Sequence, residues 1–159
     1  MSIQKPDTIS RRSLLGLAVA AALPWVSGIR LAAQAKPQMT VYKSSTCGCC
    51  SKWVEHMQAN GFDVKAIDVD DLDKVKRERG VPRAAESCHT GIVNGYLVEG
   101  HVPAAAVKKM LAEKPAFAGI AVPGMPIGSP GMEVPSGQKD RFDVVSFDKA
   151  GKLTVYVKG

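Results

Sequence analysis

Residues 39–57 read MTVYKSSTCGCCSKWVEHM and predict a strand, a cysteine motif and a helix in succession. The apolar run Met39–Tyr42 is typical of a strand, and Cys49–Ala59 has apolar residues at the spacing of one helix face. The motif Cys47-Gly48-Cys49-Cys50 joins the two elements. Because the free N–H groups and positive dipole end of a helix stabilise anions, we expect these thiols to lose their protons readily.

The rest of the pattern predicts the order β-α-β-α-β-β-α, a thioredoxin-like α/β fold with a mixed central sheet. Asn94-Gly95 is a strong hairpin signal and joins predicted strands at Thr90–Val93 and Tyr96–Val98. The other predicted elements are a strand at Phe62–Val69, a helix capped by Asp70 that runs to Arg79, and a helix that begins at Pro103 and ends at Lys114-Pro115.

The segment from Phe117 to Asp140 is too rich in glycine and proline to form a helix or a central strand. Loops of this length are usually functional or disordered, and its apolar residues argue against disorder. We therefore expect it to fold over the cysteine end of the domain as a lid. An extra C-terminal hairpin is predicted from Phe142–Phe147 and Leu153–Val157.

Residues 1–35 have the pattern of an export signal. Arg11-Arg12 precedes the apolar stretch Leu14–Leu23, which is shorter than the roughly 20 residues of a membrane-spanning helix, and Ala33-Gln34-Ala35 fits a cleavage site. The arginine pair favours twin-arginine export, with an ordinary secretory signal or an uncleaved anchor as alternatives. We expect a periplasmic protein in which residues 36–159 form one thioredoxin-like metal-binding domain, with no stable membrane span after cleavage.

Composition limits the function further. The formal net charge of +6 falls once the basic residues of the signal are removed, and no basic run is interleaved with aromatic residues, so nothing indicates a nucleic-acid partner. The sequence has no glycine-rich phosphate loop, no Gly-x-Ser-x-Gly elbow and no His-Glu-x-x-His helix. Nucleotide-binding and hydrolase functions are therefore without support.

The side chains that do indicate a function are sulfur and imidazole groups, which can bind metal ions. The candidate metal ligands are Cys47, Cys49, Cys50, Cys88, His89, His101, Met125 and Met132. Thiolate and thioether sulfur are soft donors that favour Cu(I) over hard cations, and zinc sites rarely use thioethers. Each thiolate offsets the charge of one Cu(I), so the cysteines could hold several copper ions per chain. We expect one methionine to bind copper, with Met132 favoured over Met125.

Other interpretations stay open. Cys47 and Cys50 have the Cys-x-x-Cys spacing of a thiol–disulfide oxidoreductase, although Cys49 between them invites wrong pairing and favours a ligand cluster. A disulfide-braced domain without a metal is a third possibility. Cys88 could be a small buried apolar residue. His89, just before the third predicted strand, could be a surface or hydrogen-bonded residue. His101, between the fourth predicted strand and the helix that begins at Pro103, could cap or pack locally.

Two polar features are interpreted as structural. His56 falls on the polar side of the first helix, so we expect it to be solvated. The acidic stretch Asp68–Asp73 lacks the glycine and terminal glutamate of an EF-hand loop. It therefore predicts a capped, solvated start of a short charged helix.

Four motifs in one order carry a family resemblance. They are VYKSSTCGCCSKWV at 41–54, SCHT at 87–90, GYLVEGHVP at 95–103 and VPGMPIGSPGM at 122–132. Together they resemble the CopG-type periplasmic copper proteins, a thioredoxin-like family long described as a domain of unknown function. The resemblance covers nearly all of the chain after the signal, and no motif position departs from it.

The resemblance implies a copper-resistance protein whose cysteines hold Cu(I) in a multi-copper cluster with redox activity. The expected role is copper handling. The protein would sequester Cu(I), pass it to an efflux system or another periplasmic copper carrier, or cycle it between oxidation states. An oxidoreductase activity at copper or at the thiols is compatible with this role.

Overall fold

The domain begins with the predicted strand, cysteine motif and helix. A computed structural model of the protein describes Ser2 and residues 35–159. The predicted export signal therefore lies outside the described residues, apart from Ser2 and Ala35. Within the described part of the chain, every helix is too short or too polar to cross a membrane.

The helices and strands follow the predicted order and continue beyond it. They are β1 (Gln38–Lys43), α1 (Gly48–Ala59), β2 (Asp63–Asp68), α2 (Leu72–Arg79), a 3₁₀ turn (Arg83–Ala85), β3 (His89–Val93), β4 (Tyr96–Glu99), α3 (Ala104–Glu113), β5 (Gly119–Ala121), β6 (Val144–Phe147) and β7 (Leu153–Val157).

The strands form one mixed sheet in the order β2-β1-β3-β4-β5-β6-β7. The pairs β1–β2 and β4–β5 are parallel, and the other neighbouring strands are antiparallel. This arrangement confirms the predicted α/β class with its thioredoxin-like order and mixed central sheet. The hairpin β6–β7 extends the sheet beyond the thioredoxin-like part, as the sequence predicts.

The β3–β4 hairpin has the turn that its sequence requires. Asn94 and Gly95 both have positive φ, 48° and 84°, which is the conformation of a two-residue hairpin turn. The turn sets the register in which Val93 faces Tyr96 and Thr90 faces Glu99. Because of this register, the first residues of β3 and the residues just after β4 lie side by side at one end of the sheet.

Two predictions about the elements are wrong. Gly119–Ala121, inside the segment predicted to lack a central strand, forms β5 between β4 and β6. A side chain at Gly119 would come within 2.6 Å of the Phe147 ring, so only glycine lets these strands approach. The cap of α2 is Asp71 instead of Asp70, because the Asp71 carboxylate accepts the Lys74 N–H at 2.8 Å.

The main core lies between the sheet and helices α1 and α3. Trp53 and Met57 of α1 pack in one buried cluster with Val107 and Met110 of α3. The indole N–H of Trp53 donates to the carbonyl of Val102 at 2.9 Å. This bond ties the helix that follows the cysteines to the segment that follows β4, and so brings two parts of the candidate site together.

Candidate metal centre

Three of the predicted ligands lie at the start of α1. Cys47 immediately precedes the helix, with extended backbone angles and no side-chain capping bond. Cys49 and Cys50 lie in its first turn, and the sulfur atoms of Cys47 and Cys49 are 3.3 Å apart. All are free thiols; Cys50 is buried, whereas Cys47 and Cys49 are half-buried. The cluster is therefore open to solvent at Cys47 and Cys49.

Cys88, which immediately precedes β3, lies beside these three cysteines although it is distant from them in sequence. The Cys50 thiol donates to the Cys88 carbonyl oxygen at 3.4 Å. The sulfur atoms of the four cysteines all lie within 4.8 Å of one another. The fold thus brings the distant Cys88 to the Cys-x-Cys-Cys motif.

Two imidazole rings complete the surroundings of Cys88. Its sulfur lies 3.0 Å from His101 Nε2 and 3.3 Å from His89 Nδ1. Both rings are fully buried. The ligand atoms of Cys88, His89 and His101 form a second group within 4.8 Å of one another. Cys88 therefore belongs to both groups of donors.

The two histidines have different hydrogen-bond partners. His101 Nδ1 lies 2.8 Å from the Pro130 carbonyl oxygen and donates to it, which leaves Nε2 directed at Cys88. His89 stacks on Trp53 with the ring centres 4.4 Å apart, and its Nε2 is buried without a partner among the described residues. A buried polar atom without a partner is costly. Four clustered sulfurs, with His89 Nδ1 and His101 Nε2 facing Cys88, fit a bound soft metal ion.

The thiols differ in their acidity. The hydrogen bond with Cys50 lowers the pKa of Cys88 below its ordinary 9.0; burial opposes this effect, and the bonds with both histidines add to it. The same bond, followed by burial, raises the pKa of Cys50, and burial together with the Cys47 bond raises the pKa of Cys49 to about 11. The expectation of readily ionised helix thiols is therefore wrong for Cys49 and Cys50 because burial and neighbouring thiols outweigh the helix dipole.

The two rings also titrate in opposite directions. Burial lowers the pKa of His89. Burial also acts to lower the pKa of His101, but the hydrogen bond and charge of Cys88 outweigh it, and the pKa of His101 is raised. His101 is therefore the more basic of the two rings, and His89 is the more readily neutral one.

The lid is predicted over Phe117–Asp140, and of this segment residues 130–131 lie against the site. Pro130 accepts the bond from His101, and Gly131 lies so close to α1 that a methyl group there would be 2.8 Å from the Cys49 carbonyl oxygen. Met125 is 55% exposed, and Met132, next to Gly131, is half-buried. The two donor groups consist of cysteines and histidines, and the methionine ligands stay predictions.

His56 is not the solvated side chain that the sequence pattern predicts. Its Nε2 accepts the N–H of Ala104, the first residue of α3, at 3.3 Å. The ring is half-buried, and burial lowers the pKa of His56. It caps α3 and connects that helix to α1.

A buried ion pair lies beside Cys88 and was not predicted from the sequence. Lys76 of α2 and Glu99 of β4 form it, and their side chains are only 3% and 0% exposed. Lys76 thus lies on the buried face of a helix expected to be charged and solvated. The available signal was a glutamate at the end of the otherwise apolar strand Tyr96–Glu99.

The protein is thus a thioredoxin-like domain with a cysteine cluster able to hold a metal ion. Two solved structures, titled "Copper resistance protein copG- Form 2" and "Copper resistance protein copG- Form 1", are similar to this chain. Each has 43% sequence identity and covers 78% of this chain and 98% of its own, with TM-scores of 0.73 and 0.72. The chain therefore belongs to the CopG family.

A shorter match lies within the same region. Residues 85–132 match the family described as "Protein of unknown function, DUF411". The matched span contains Cys88, both buried histidines and both candidate methionines, but not the Cys-x-Cys-Cys motif. A search of curated proteins found no match.

Proposed function

We propose that this protein binds Cu(I) in the periplasm and serves copper resistance or homeostasis. The observation that carries the proposal is the group of four cysteine sulfurs within 4.8 Å of one another. Thiolates in this number are soft ligands suited to Cu(I). The titles of the family members name copper resistance, and the predicted export signal supports a periplasmic location.

The site supports binding of more than one copper ion. Cys88 belongs to both donor groups, one formed with the three helix thiols and the other with His89 and His101. A thiolate can bridge two metal ions, so a shared Cys88 would link neighbouring coppers. Met125 or Met132, on the segment that covers the site, would add a thioether ligand.

The exposure of the cysteines supports copper exchange with other proteins. Cys50 is buried, whereas Cys47 and Cys49 are half-buried. Copper would therefore enter and leave beside Cys47 and Cys49. The protein would store Cu(I), pass it to an efflux system or another periplasmic carrier, or cycle its oxidation state.

The test is a titration of the purified, reduced protein with Cu(I) in competition with a chromogenic chelator. We expect tight uptake of more than one copper per chain, and we expect Cys49→Ser or Cys88→Ser to abolish the uptake of more than one. Met125→Ala and Met132→Ala test the lid: if neither changes the affinity, the methionine assignment is wrong.

Cys49→Ser also separates this function from its main rival. A thiol–disulfide oxidoreductase needs only Cys47 and Cys50, and this variant keeps both. A protein that reduces insulin disulfides efficiently without metal, keeps that activity in Cys49→Ser, and takes up no Cu(I) tightly would be an oxidoreductase instead.

A further inference from the structure

The buried ion pair of Lys76 and Glu99 lies directly behind the Cys88 end of the site. Lys76 Nζ also donates to the Thr90 hydroxyl at 3.1 Å, and that hydroxyl donates to Glu99 Oε2 at 2.7 Å. Removing two charges from water costs about as much free energy as their attraction returns, so a buried ion pair is weak evidence for stability. In this protein the ion pair also contacts the backbone beside Cys88, through the bond from the Ser87 N–H to Glu99.

Glu99 holds the chain on both sides of two predicted ligands. Its Oε1 accepts the backbone N–H of Ser87 at 2.7 Å, and its Oε2 accepts the Thr90 hydroxyl. Ser87 immediately precedes Cys88, and Thr90 immediately follows His89. One carboxylate therefore brackets the dipeptide that carries a thiol and an imidazole of the site.

The same bracket reaches the lid. The Ser87 hydroxyl donates to the carbonyl of Gly124, the residue before Met125. Gly100, which follows Glu99, has a positive φ of 71°, and a side chain there would come within 2.6 Å of the Val122 carbonyl oxygen. Glycine at this position lets Ser87 and the start of the lid approach β4 closely.

We propose that Glu99, held in place by Lys76, is a positioning residue of the metal centre. By accepting the Ser87 N–H it directs the Cys88 thiol toward Cys50 and His101. This inference rests on the proposed function. Outer-shell groups that orient metal ligands typically change metal affinity about 10–100-fold when they are removed.

Two double variants separate positioning from charge and from folding. Lys76→Met/Glu99→Gln removes both charges but keeps an amide oxygen that can accept the Ser87 N–H. Lys76→Met/Glu99→Leu removes the charges and the acceptor. Neither leaves an unpaired charge buried, a change that is strongly destabilising.

We expect Lys76→Met/Glu99→Gln to keep Cu(I) affinity close to that of the wild type, and Lys76→Met/Glu99→Leu to weaken it about 10–100-fold. The matched control is Lys74→Met/Glu78→Leu on the same helix, where an ion pair at 4.0 Å is exposed. It should leave the affinity unchanged. Equal affinity in the two Lys76 variants, with both folded, would overturn the proposal.

A second pair of variants removes the donor and leaves the ion pair intact. Ser87→Pro deletes the N–H that Glu99 accepts, and Ser87→Ala keeps it; both lose the hydroxyl. The preceding Glu86 has φ −59° and ψ 143°, a conformation that a following proline allows. We expect Ser87→Pro to weaken Cu(I) binding relative to Ser87→Ala. Identical binding by the two would contradict the proposed bracket.

A metal-independent readout keeps this inference distinct from the proposed function. In the reduced protein without copper, the rate of Cys88 alkylation, followed by peptide mass, should rise several-fold in Lys76→Met/Glu99→Leu, while the rate at Cys47 stays constant. Unchanged Cys88 alkylation in that variant refutes positioning. Failure of the wild-type protein to take up Cu(I) refutes only the proposed function.

Discussion

The metal centre has two halves that the fold assembles differently. The helix half is Cys47, Cys49 and Cys50, which lie within four residues of sequence; Cys47 and Cys49 are half-buried and Cys50 is buried. The strand half is Cys88, His89 and His101, whose residues come from the ends of β3 and β4 and whose two rings are buried. The helix half is thus a local motif, whereas the strand half exists only once the hairpin has formed.

The thiols of the two halves also differ in acidity. Hydrogen bonds lower the pKa of Cys88 in the strand half, while the pKa values of Cys49 and Cys50 in the helix half are raised. A metal ion binds the thiolate form, so Cys49 and Cys50 must release their protons when copper binds. Cys88 is therefore more readily available as a thiolate ligand than Cys49 or Cys50.

The largest effect should come from a direct comparison of the halves. We expect Cys88→Ser to abolish tight binding of even one Cu(I), a loss greater than the 10–100-fold or so typical of an outer-shell group. Cys49→Ser should still bind a single copper tightly, because Cys88 and its two histidines remain. Chelator competition at equal protein concentration measures both.

The folded state of each variant is checked by its urea midpoint without metal. Similar values make the copper results comparable. If Cys49→Ser and Cys88→Ser lost affinity equally, the two halves would be equivalent ligands and the distinction drawn from their pKa values would be wrong.

The helix half could be predicted because everything it needs is local. An apolar strand, the cysteine motif and an amphipathic helix follow one another within residues 39–57. The meeting of Cys88 with His101 was harder to foresee. It depends on the hairpin register in which Thr90 faces Glu99, and that register follows from the Asn94-Gly95 turn.

The rest depends on contacts that sequence patterns do not encode. Strand β5 is three residues long and includes a glycine, and it forms because β4 and β6 supply partners on both sides. Glu99 and Lys76 look like ordinary surface charges until the fold buries both. His56 has a polar helical position, and only the approach of α3 gives it a role.

The seating of the lid on the helix half predicts a smaller effect. Gly131→Ala should lower the free energy of unfolding by about 1–3 kcal/mol, since φ is +85° there and a methyl group would lie 2.8 Å from the Cys49 carbonyl oxygen. Gly137→Ala is the matched control, with φ of +71° and nothing within 4 Å. Urea unfolding of the metal-free protein measures both.

The difference between these two variants isolates the contact with α1 from the strain of a positive φ. If Gly131→Ala and Gly137→Ala lost the same stability, the lid would not be in close contact with α1 at Gly131. A larger loss in Gly131→Ala, accompanied by weaker Cu(I) binding, would show that the lid helps to hold Cys49 in place.

The smallest effect concerns His56, which connects α1 to the start of α3, just beyond His101. Burial lowers the pKa of His56 from 6.5, against an opposing effect of Glu133. Below pH 6.5 the unfolded chain therefore takes up a proton more readily than the folded one. The contribution of neutral His56 to the stability of the fold is therefore complete above pH 6.5, and it is lost as the pH falls through the lowered pKa of this ring.

We expect His56→Gln to reduce the acid sensitivity of the fold, because an amide oxygen can accept the Ala104 N–H without titrating. The change in unfolding free energy between about pH 7 and about pH 5 should become smaller by about 1 kcal/mol or less, the net value of one hydrogen bond. Urea unfolding of both proteins across this range measures it. The two buried histidines of the strand half are present in both proteins, so their titration cancels in the comparison. An unchanged pH slope in His56→Gln would mean that protonation of His56 does not affect the stability of the fold.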